Sequence, residues 1–112
     1  SRGLGDVYKR QEQSYTDSDL SPTRIADSLG MSSAYLGRIF RESTQISISQ
    51  YLNQTRIRRA EELLRETEQP VETVAGLVGF SNPKYFYVVF KNITGQTPLQ
   101  FRKAVHSASE KN

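Results

Sequence analysis

The 112-residue sequence contains no cysteine and no tryptophan, and His106 is its one histidine. Without cysteine there is no disulfide, no thiolate nucleophile and no sulfur-ligated zinc, and one histidine leaves little for a metal site or a histidine-based catalytic group. No apolar run approaches the roughly 20 residues that a membrane-spanning helix requires. We therefore expect a soluble, cytoplasmic, non-enzymatic protein that binds no metal and no cofactor.

The charge balance favours a polyanionic partner only weakly, because 15 Lys+Arg against 12 Asp+Glu give a net charge of +3. Residues 1–11, SRGLGDVYKRQ, resemble a translated sequencing adapter and show little helical periodicity. We expect them to form a non-native or disordered leader, which implies that the native chain continued further upstream. Without this leader the net charge falls to +1. Evidence for a polyanionic partner must therefore come from where the charges lie and not from their sum.

The strongest signal in the sequence is an internal repeat. A shift of 49 aligns Ala26 with Ala75 and Gly30 with Gly79. A few residues later the shift becomes 50, and it aligns identical or similar residues: Tyr35 with Tyr85, Leu36 with Phe86, Phe40 with Phe90, Arg41 with Lys91 and Thr44 with Thr94. The chain therefore contains two copies of one structural unit.

Each copy reads as a helix, a tight turn and a second helix. A proline opens the first helix, a glycine ends it and a polar capping residue starts the second helix. These residues are Pro22, Gly30 and Ser32 in one copy, and Pro70, Gly79 and Asn82 in the other. These residue types are those that prefer the ends of helices. The pattern is that of a helix-turn-helix unit.

The second helix of each copy has one apolar and one free face. The apolar stripes, which we expect to be buried, are Tyr35, Leu36, Ile39 and Phe40 in the first copy and Tyr85, Phe86, Val89 and Phe90 in the second. Phe80 and Phe101 are predicted to join the core. The free faces carry Ala34, Gly37, Arg38 and Arg41 in the first copy, and Lys84, Tyr87, Val88 and Lys91 in the second.

Between the copies, residues 48–67 contain no glycine or proline and repeat apolar residues near the helical period. We predict one long helix of roughly 30 Å, close to the ~34 Å between successive major-groove faces of B-DNA. The predicted organisation is a leader (1–11), a first helix-turn-helix subdomain (12–47), a linker helix (48–67), a second subdomain (68–105) and a flexible tail (106–112).

The second copy contains six short motifs at a specific spacing: GF at 79–80, YF at 85–86, FK at 90–91, TG at 94–95, TP at 97–98 and FR at 101–102. With these motifs the sequence resembles the DNA-binding domain of the AraC/XylS family of bacterial transcription regulators. The resemblance extends from about Gln13 to Arg102. It implies an all-α fold of seven helices, with two helix-turn-helix subdomains that place their second helices in adjacent major grooves.

The resemblance implies base contacts from Ala34, Gly37 and Arg38 in the first unit and from Lys84, Tyr87 and Val88 in the second. Arg38 is the strong reader, because arginine binds guanine through two hydrogen bonds worth about 1–3 kcal/mol of discrimination. The family often has arginine where this chain has Val88, so we expect more hydrogen-bonded specificity from the first unit. The family usually has glycine where this chain has Gln45, and if this glutamine is left-handed the strain is about 1 kcal/mol.

Six further residues are candidates for contacts with DNA phosphates: Arg24, Ser32, Arg41, Ser81, Asn82 and Lys91. For the three cations, plain exposure is an equally open alternative. The three polar residues are helix caps first, at helix ends that also suit a phosphate. Arg58 and Arg59 are expected to pair with glutamates on their own helix, and the resemblance implies a structural role for Arg56.

We expect the function to be sequence-specific binding of double-stranded DNA that regulates, and usually activates, transcription. The resemblance also implies contact with RNA polymerase and a sensory domain upstream, and we expect this fragment to be a monomer without membrane contact. An alternative is a protein-interaction module that binds DNA weakly and without sequence preference. An enzyme is disfavoured because no arrangement of the carboxylates in the sequence differs from that of ordinary surface ion pairs.

Overall fold

The computed structural model describes residues 2–111, and this part of the chain forms seven helices and no strands. The helices are α1 (Arg2–Ser14), α2 (Pro22–Ser28), α3 (Ser33–Thr44), α4 (Ile48–Glu66), α5 (Val71–Leu77), α6 (Pro83–Thr94) and α7 (Pro98–Lys111). The predicted all-α fold of seven helices is confirmed. None of the helices in residues 2–111 combines the length and apolar character needed to cross a membrane.

Side-chain caps set where α2, α3 and α6 begin, and the caps of α3 and α6 are among those predicted from the sequence. The capping oxygen accepts a hydrogen bond from a backbone amide of the first turn: Ser21 from Arg24 at 3.2 Å, Ser32 from Tyr35 at 3.1 Å, and Asn82 from Lys84 at 2.9 Å. Such bonds satisfy amides that have no partner within the helix. In the second unit the cap is Asn82, and not its neighbour Ser81.

The packing divides the chain into two compact units, and the division falls between Thr55 and Arg56. The predicted linker helix exists as α4, but the boundary between the units lies inside that helix. In the first unit the buried core consists of Val7, Ile25, Ala26, Leu36, Phe40 and Ile48. The rings of Tyr8, Phe40 and Tyr51 meet edge to face around this core, with centroids 5.0–6.0 Å apart.

Helix α1 corrects the expectation of a disordered leader for residues 2–11, while Ser1 lies outside the described residues. The non-native origin of the leader stays a prediction. Val7 and Gln11 are fully buried, and the Nε2 of Gln11 donates to the carbonyl oxygen of Ile48 at 3.2 Å. Leu4, Val7, Tyr8 and Gln11 follow the i, i+3, i+4, i+7 spacing of a helical face. Burial of that face against α3 and the start of α4 makes residues 2–14 part of the first unit.

The second unit is built around a row of aromatic rings. Phe80 contacts Phe86 at 5.2 Å between centroids, Phe86 contacts Phe90 at 5.7 Å, and Phe90 contacts Phe101 at 5.7 Å. All four side chains are buried, as predicted. Arg56 is also buried, with its guanidinium 5.6 Å from the Phe80 ring centroid, which agrees with a structural role.

Helix α7 corrects the expectation of a flexible tail in residues 106–112. The helix continues to Lys111, and Asn112 lies outside the described residues. The side chain of Arg102 donates to the carbonyl oxygens of Leu64 and Thr67, at 3.0 and 3.2 Å. One turn later, Nε2 of His106 lies 3.3 Å from a carbonyl oxygen of α4. These contacts hold α7 against the end of α4.

Candidate nucleic-acid interface

Helices α3 and α6 are the second helices of the two helix-turn-helix units, and their ends are built alike. Each has 12 residues and ends at a left-handed residue, Gln45 with φ 69° and Gly95 with φ 83°. The hydroxyl of Thr44 lies 2.8 Å from the carbonyl oxygen of Phe40, and that of Thr94 lies 2.9 Å from the carbonyl oxygen of Phe90. Gln45 is thus left-handed at the helix end where the family usually has glycine.

The next helix after each recognition helix also starts in the same way. In the first unit, Oγ of Ser47 accepts from the amide of Gln50 while Oε1 of Gln50 accepts from the amide of Ser47. Thr97 and Gln100 repeat this reciprocal pair. These capping boxes extend the repeat beyond the residues that first revealed it, and the S/T-x-x-Q spacing is the signal that identifies them.

The six candidate base readers all lie at the surface. Ala34, Arg38, Lys84 and Val88 are exposed, and Gly37 and Tyr87 are half-buried. The buried sides of the same helices are Leu36 and Phe40 in α3, and Phe86, Val89 and Phe90 in α6. The free faces predicted from the sequence are therefore the faces presented to solvent.

In the first unit the candidate readers line one shallow groove of about 240 Å³. Ala34, Gly37, Arg38 and Arg41 form its α3 side, and Ser47–Ser49 at the start of α4 form the opposite side. A β-carbon built on Gly37 would meet no atom within 4 Å. The small side chains of Ala34 and Gly37 thus leave room for a partner to approach the backbone of α3.

Arg38 is held by two neighbours on its own helix. Its guanidinium carbon lies 5.4 Å from the ring centroid of Tyr35, and Nη1 lies 3.6 Å from Oε1 of Glu42. The ion pair is exposed on both sides, so it stabilises the fold by less than about 1 kcal/mol. Arg38 is therefore oriented towards solvent but is available to exchange Glu42 for another acceptor.

The exposure of two tyrosines corrects the prediction that the apolar stripes are buried throughout. Tyr35 keeps 48% of its surface exposed and Tyr85 keeps 50%. Each precedes a fully buried residue, Leu36 or Phe86, and successive helical residues point about 100° apart. When Leu36 faces the core, Tyr35 is therefore rotated towards the edge, where it contacts Arg38.

The free face of α6 is cationic at its ends and apolar between them. Lys84 and Lys91 are exposed, Val88 is 56% exposed, and Tyr87 packs its ring 6.2 Å from that of Phe86. The helix contains no carboxylate. The position equivalent to Arg38 therefore presents two methyl groups and no hydrogen-bond donor.

The candidate phosphate contacts are all exposed: Arg24, Ser32, Arg41, Ser81, Asn82 and Lys91. None of the three cations forms an ion pair with another described residue. Ser32 and Asn82 are engaged as helix caps. By contrast, Arg59 pairs with Glu62 at 2.6 Å, as predicted for an arginine on a solvated helix face. Among residues 2–111 no group of three or more metal-ligating side chains comes together.

Comparison with known proteins identifies one matching family model and several similar regulatory proteins. A family model described as a helix-turn-helix domain matches residues 25–104. The Msm operon regulatory protein of Streptococcus mutans is 38% identical over 90 residues, which are 80% of this chain and 32% of that protein. The arabinose operon regulatory protein of Escherichia coli is 36% identical over 86 residues, 77% of this chain and 30% of that protein.

Among solved structures, the DNA-binding domain of AdpA, a global transcriptional factor in complex with a target DNA, superposes with a TM-score of 0.88. The two are 25% identical, and the match covers 97% of each chain. The match to this chain covers about a third of the Msm operon regulatory protein and of the arabinose operon regulatory protein.

Proposed function

Because the chain belongs to the AraC/XylS family of DNA-binding transcription regulators, we propose that it binds duplex DNA through α3 and α6, each in a major groove, at adjacent turns of the helix. The observation that carries this proposal is the pair of matched free faces, which combine exposed candidate readers with unpaired cations. A major groove about 12 Å wide admits one α-helix, and both helices present such a face over their full length.

In this mechanism the cations supply affinity and the readers supply sequence preference. Arg24, Arg41 and Lys91 bind phosphates, which carry no sequence information but set the position of the domain on the duplex. Ser32, Ser81 and Asn82, at the starts of α3 and α6, bind phosphates where helix amides and hydroxyls face the backbone.

Arg38 is assigned the central role in reading sequence. Its guanidinium donates two parallel hydrogen bonds to O6 and N7 of guanine, and the stacking on Tyr35 keeps it extended. Ala34 and Gly37 allow close approach and contact thymine methyl groups or sugar. In α6, Lys84 and Tyr87 contact bases or phosphates, and Val88 makes only apolar contact.

At the level of the whole protein, we propose transcription activation in the bacterial cytoplasm through contact with RNA polymerase. A sensory domain joined upstream is proposed from the difference in length between this chain and its relatives. The fragment itself is proposed to be a monomer. No catalytic role is assigned, because the family shares DNA binding and not an enzymatic activity.

Selection from a random duplex library by the purified domain, at about 150 mM salt, tests this function. The expected product is a bipartite motif with half-sites about 10.5 bp apart, matching one turn of DNA. A motif from a single half-site would contradict sequence reading by α6 and would mean that the second unit contacts only phosphates. A library that shows no enrichment would contradict sequence-specific binding and favour a protein-interaction module.

A further inference from the structure

The repeat makes it possible to compare the two DNA-facing surfaces position by position. At two such positions the first unit has a polar residue and the second an exposed aliphatic one: Arg38 corresponds to Val88, and Ser49 corresponds to Leu99. Val88 is 56% exposed and Leu99 is 51% exposed. The fold does not require an aliphatic side chain at either position, because the first unit has Arg38 and Ser49 there.

The repeat places the two aliphatic residues, Val88 and Leu99, on one surface of the second unit. Arg38 and Ser49 line the same groove of the first unit. The second unit repeats the helix lengths, the threonine at the end of the recognition helix and the capping box that follows it. Val88 and Leu99 therefore stand at the two sides of the equivalent surface, which we call the α6–α7 surface.

Cations surround the α6–α7 surface. Lys84 and Lys91 lie one turn before and about one turn after Val88 on the same helix, and both are exposed. The recognition helix α6 contains no acidic residue, whereas α3 carries Glu42. An apolar centre between two lysines matches a ligand that has an apolar group flanked by negative charges.

We propose that the α6–α7 surface reads its half-site through the C5-methyl groups of thymine, with Val88 and Leu99 as the residues that contact them. This inference rests on the proposed DNA binding. Valine and leucine neither donate nor accept hydrogen bonds, and the thymine methyl is the apolar feature that base pairs present in the major groove. The phosphates on both sides of the groove supply the charges that Lys84 and Lys91 match.

The consequence is that the two units recognise different bases by different interactions. The first unit recognises guanine by hydrogen bonds from Arg38, and the second recognises thymine by burial of methyl groups. Deoxyuridine keeps every hydrogen-bonding group of thymine and lacks only the methyl. Each buried methyl is therefore expected to change the dissociation constant about fourfold when thymine is replaced by deoxyuridine.

The experiment measures binding of the domain to its selected duplex, with thymines replaced by deoxyuridine in one half-site at a time. Arg38→Ala identifies the half-site of α3, because it relaxes guanine preference there. Replacement in the other half-site is expected to weaken binding by about fourfold per contacted methyl. Val88→Ala and Leu99→Ser are each expected to lower the ratio between the dissociation constants of the deoxyuridine and thymine duplexes.

Two further variants make the test specific. Val88→Arg installs the residue of the first unit, so a guanine preference is expected in the second half-site together with loss of the deoxyuridine effect. Ile93→Ser is the matched control: Ile93 is an exposed aliphatic residue on the same helix, 45% exposed, and its counterpart in the first unit is Ser43. It lies about 140° around the helix from Val88, so no change in deoxyuridine sensitivity is expected.

Equal affinity for the thymine and deoxyuridine duplexes would overturn the inference, while tight binding of both would leave the proposed DNA binding intact. An effect of Ile93→Ser equal to that of Val88→Ala would also overturn it, because the sensitivity would then not arise at the α6–α7 surface. If Val88→Ala and Leu99→Ser change neither affinity nor sensitivity, the two residues do not contact thymine and the inference is wrong. Failure to select any duplex would overturn the DNA-binding function and this inference together.

Discussion

The two units of this protein have the same succession of helices and differ in the side chains that they present to solvent. Both have a short helix, a 12-residue recognition helix, a threonine that closes it and a capping box that begins the next helix. On this common frame the first unit exposes Arg38 above two small residues, and the second exposes Val88 between two lysines. The comparison teaches that the same helical frame can be kept while the solvent-facing side chains of the recognition helix differ.

The largest expected effect separates the two units by their mode of reading. Arg38→Ala removes both guanine hydrogen bonds and is expected to cost about 1–3 kcal/mol of discrimination in one half-site. Val88→Ala, at the equivalent position, is expected to leave guanine preference unchanged in both half-sites. Binding measured on duplexes with single base substitutions checks this. Identical base preferences in the wild type and Arg38→Ala would contradict the role of Arg38.

A reciprocal exchange tests the turn that ends each recognition helix. Gln45→Gly is expected to stabilise the protein by about 1 kcal/mol, because glycine adopts the left-handed conformation without the strain of a β-carbon. Gly95→Gln is expected to destabilise it by a similar amount. The hydrogen bond from Nε2 of Gln45 to the carbonyl of Glu42 is exposed and offsets little of this. Urea unfolding of both variants is the measurement, and changes of the same sign would argue against it.

The groove of the first unit is tested by filling it. Gly37→Ala is expected to raise the free energy of unfolding by about 0.5–1 kcal/mol, because alanine favours the helix and meets no atom within 4 Å. The same change is expected to weaken DNA binding if the groove receives the duplex. Gly76→Ala is the control, since Gly76 is also a helical glycine with open space around it. It should stabilise without any change in affinity, measured by thermal unfolding and DNA titration.

The smallest effect is expected from a single phosphate contact. Lys91→Ala is expected to weaken binding to all sequences alike and to lower the salt dependence of the binding constant by about one charge. Titration at several salt concentrations measures the slope. A change of base preference in Lys91→Ala would mean that this lysine contacts a base and not the backbone.

The sequence predicted the parts of the structure that depend on local signals. The capped starts of α2, α3 and α6, the left-handed Gln45 and the long α4 follow from residue types at helix ends and from helical periodicity. The exposed candidate readers follow from the same periodicity, because the face opposite a buried stripe must meet solvent. For α3 and α6 the repeat strengthened the prediction, because the capped start and the apolar stripe occur in both copies.

Three predictions were wrong because the decisive interaction is not local. Helix α1 is held by burial against α3, and the polar Gln11 at a fully buried position obscured its apolar face. Helix α7 is held near its start by Arg102, whose partners Leu64, in α4, and Thr67, just after α4, lie 38 and 35 residues away in the sequence. For Tyr35, helical spacing alone did not decide which of two adjacent apolar residues faces the core. The roles of the site residues in DNA binding stay predictions.

The threonine at the end of each recognition helix has a consequence for the thermodynamics of association. The hydroxyl of Thr44 lies within hydrogen-bonding distance of the carbonyl oxygens of Phe40 and Ile46 and can donate to either, and Thr94 repeats this with Phe90 and Gln96. The last turn is thus ordered before any ligand arrives, and little backbone entropy remains to be lost on association. The heat-capacity change of complex formation should then report the apolar contact area itself, without the larger contribution that coupled folding would add.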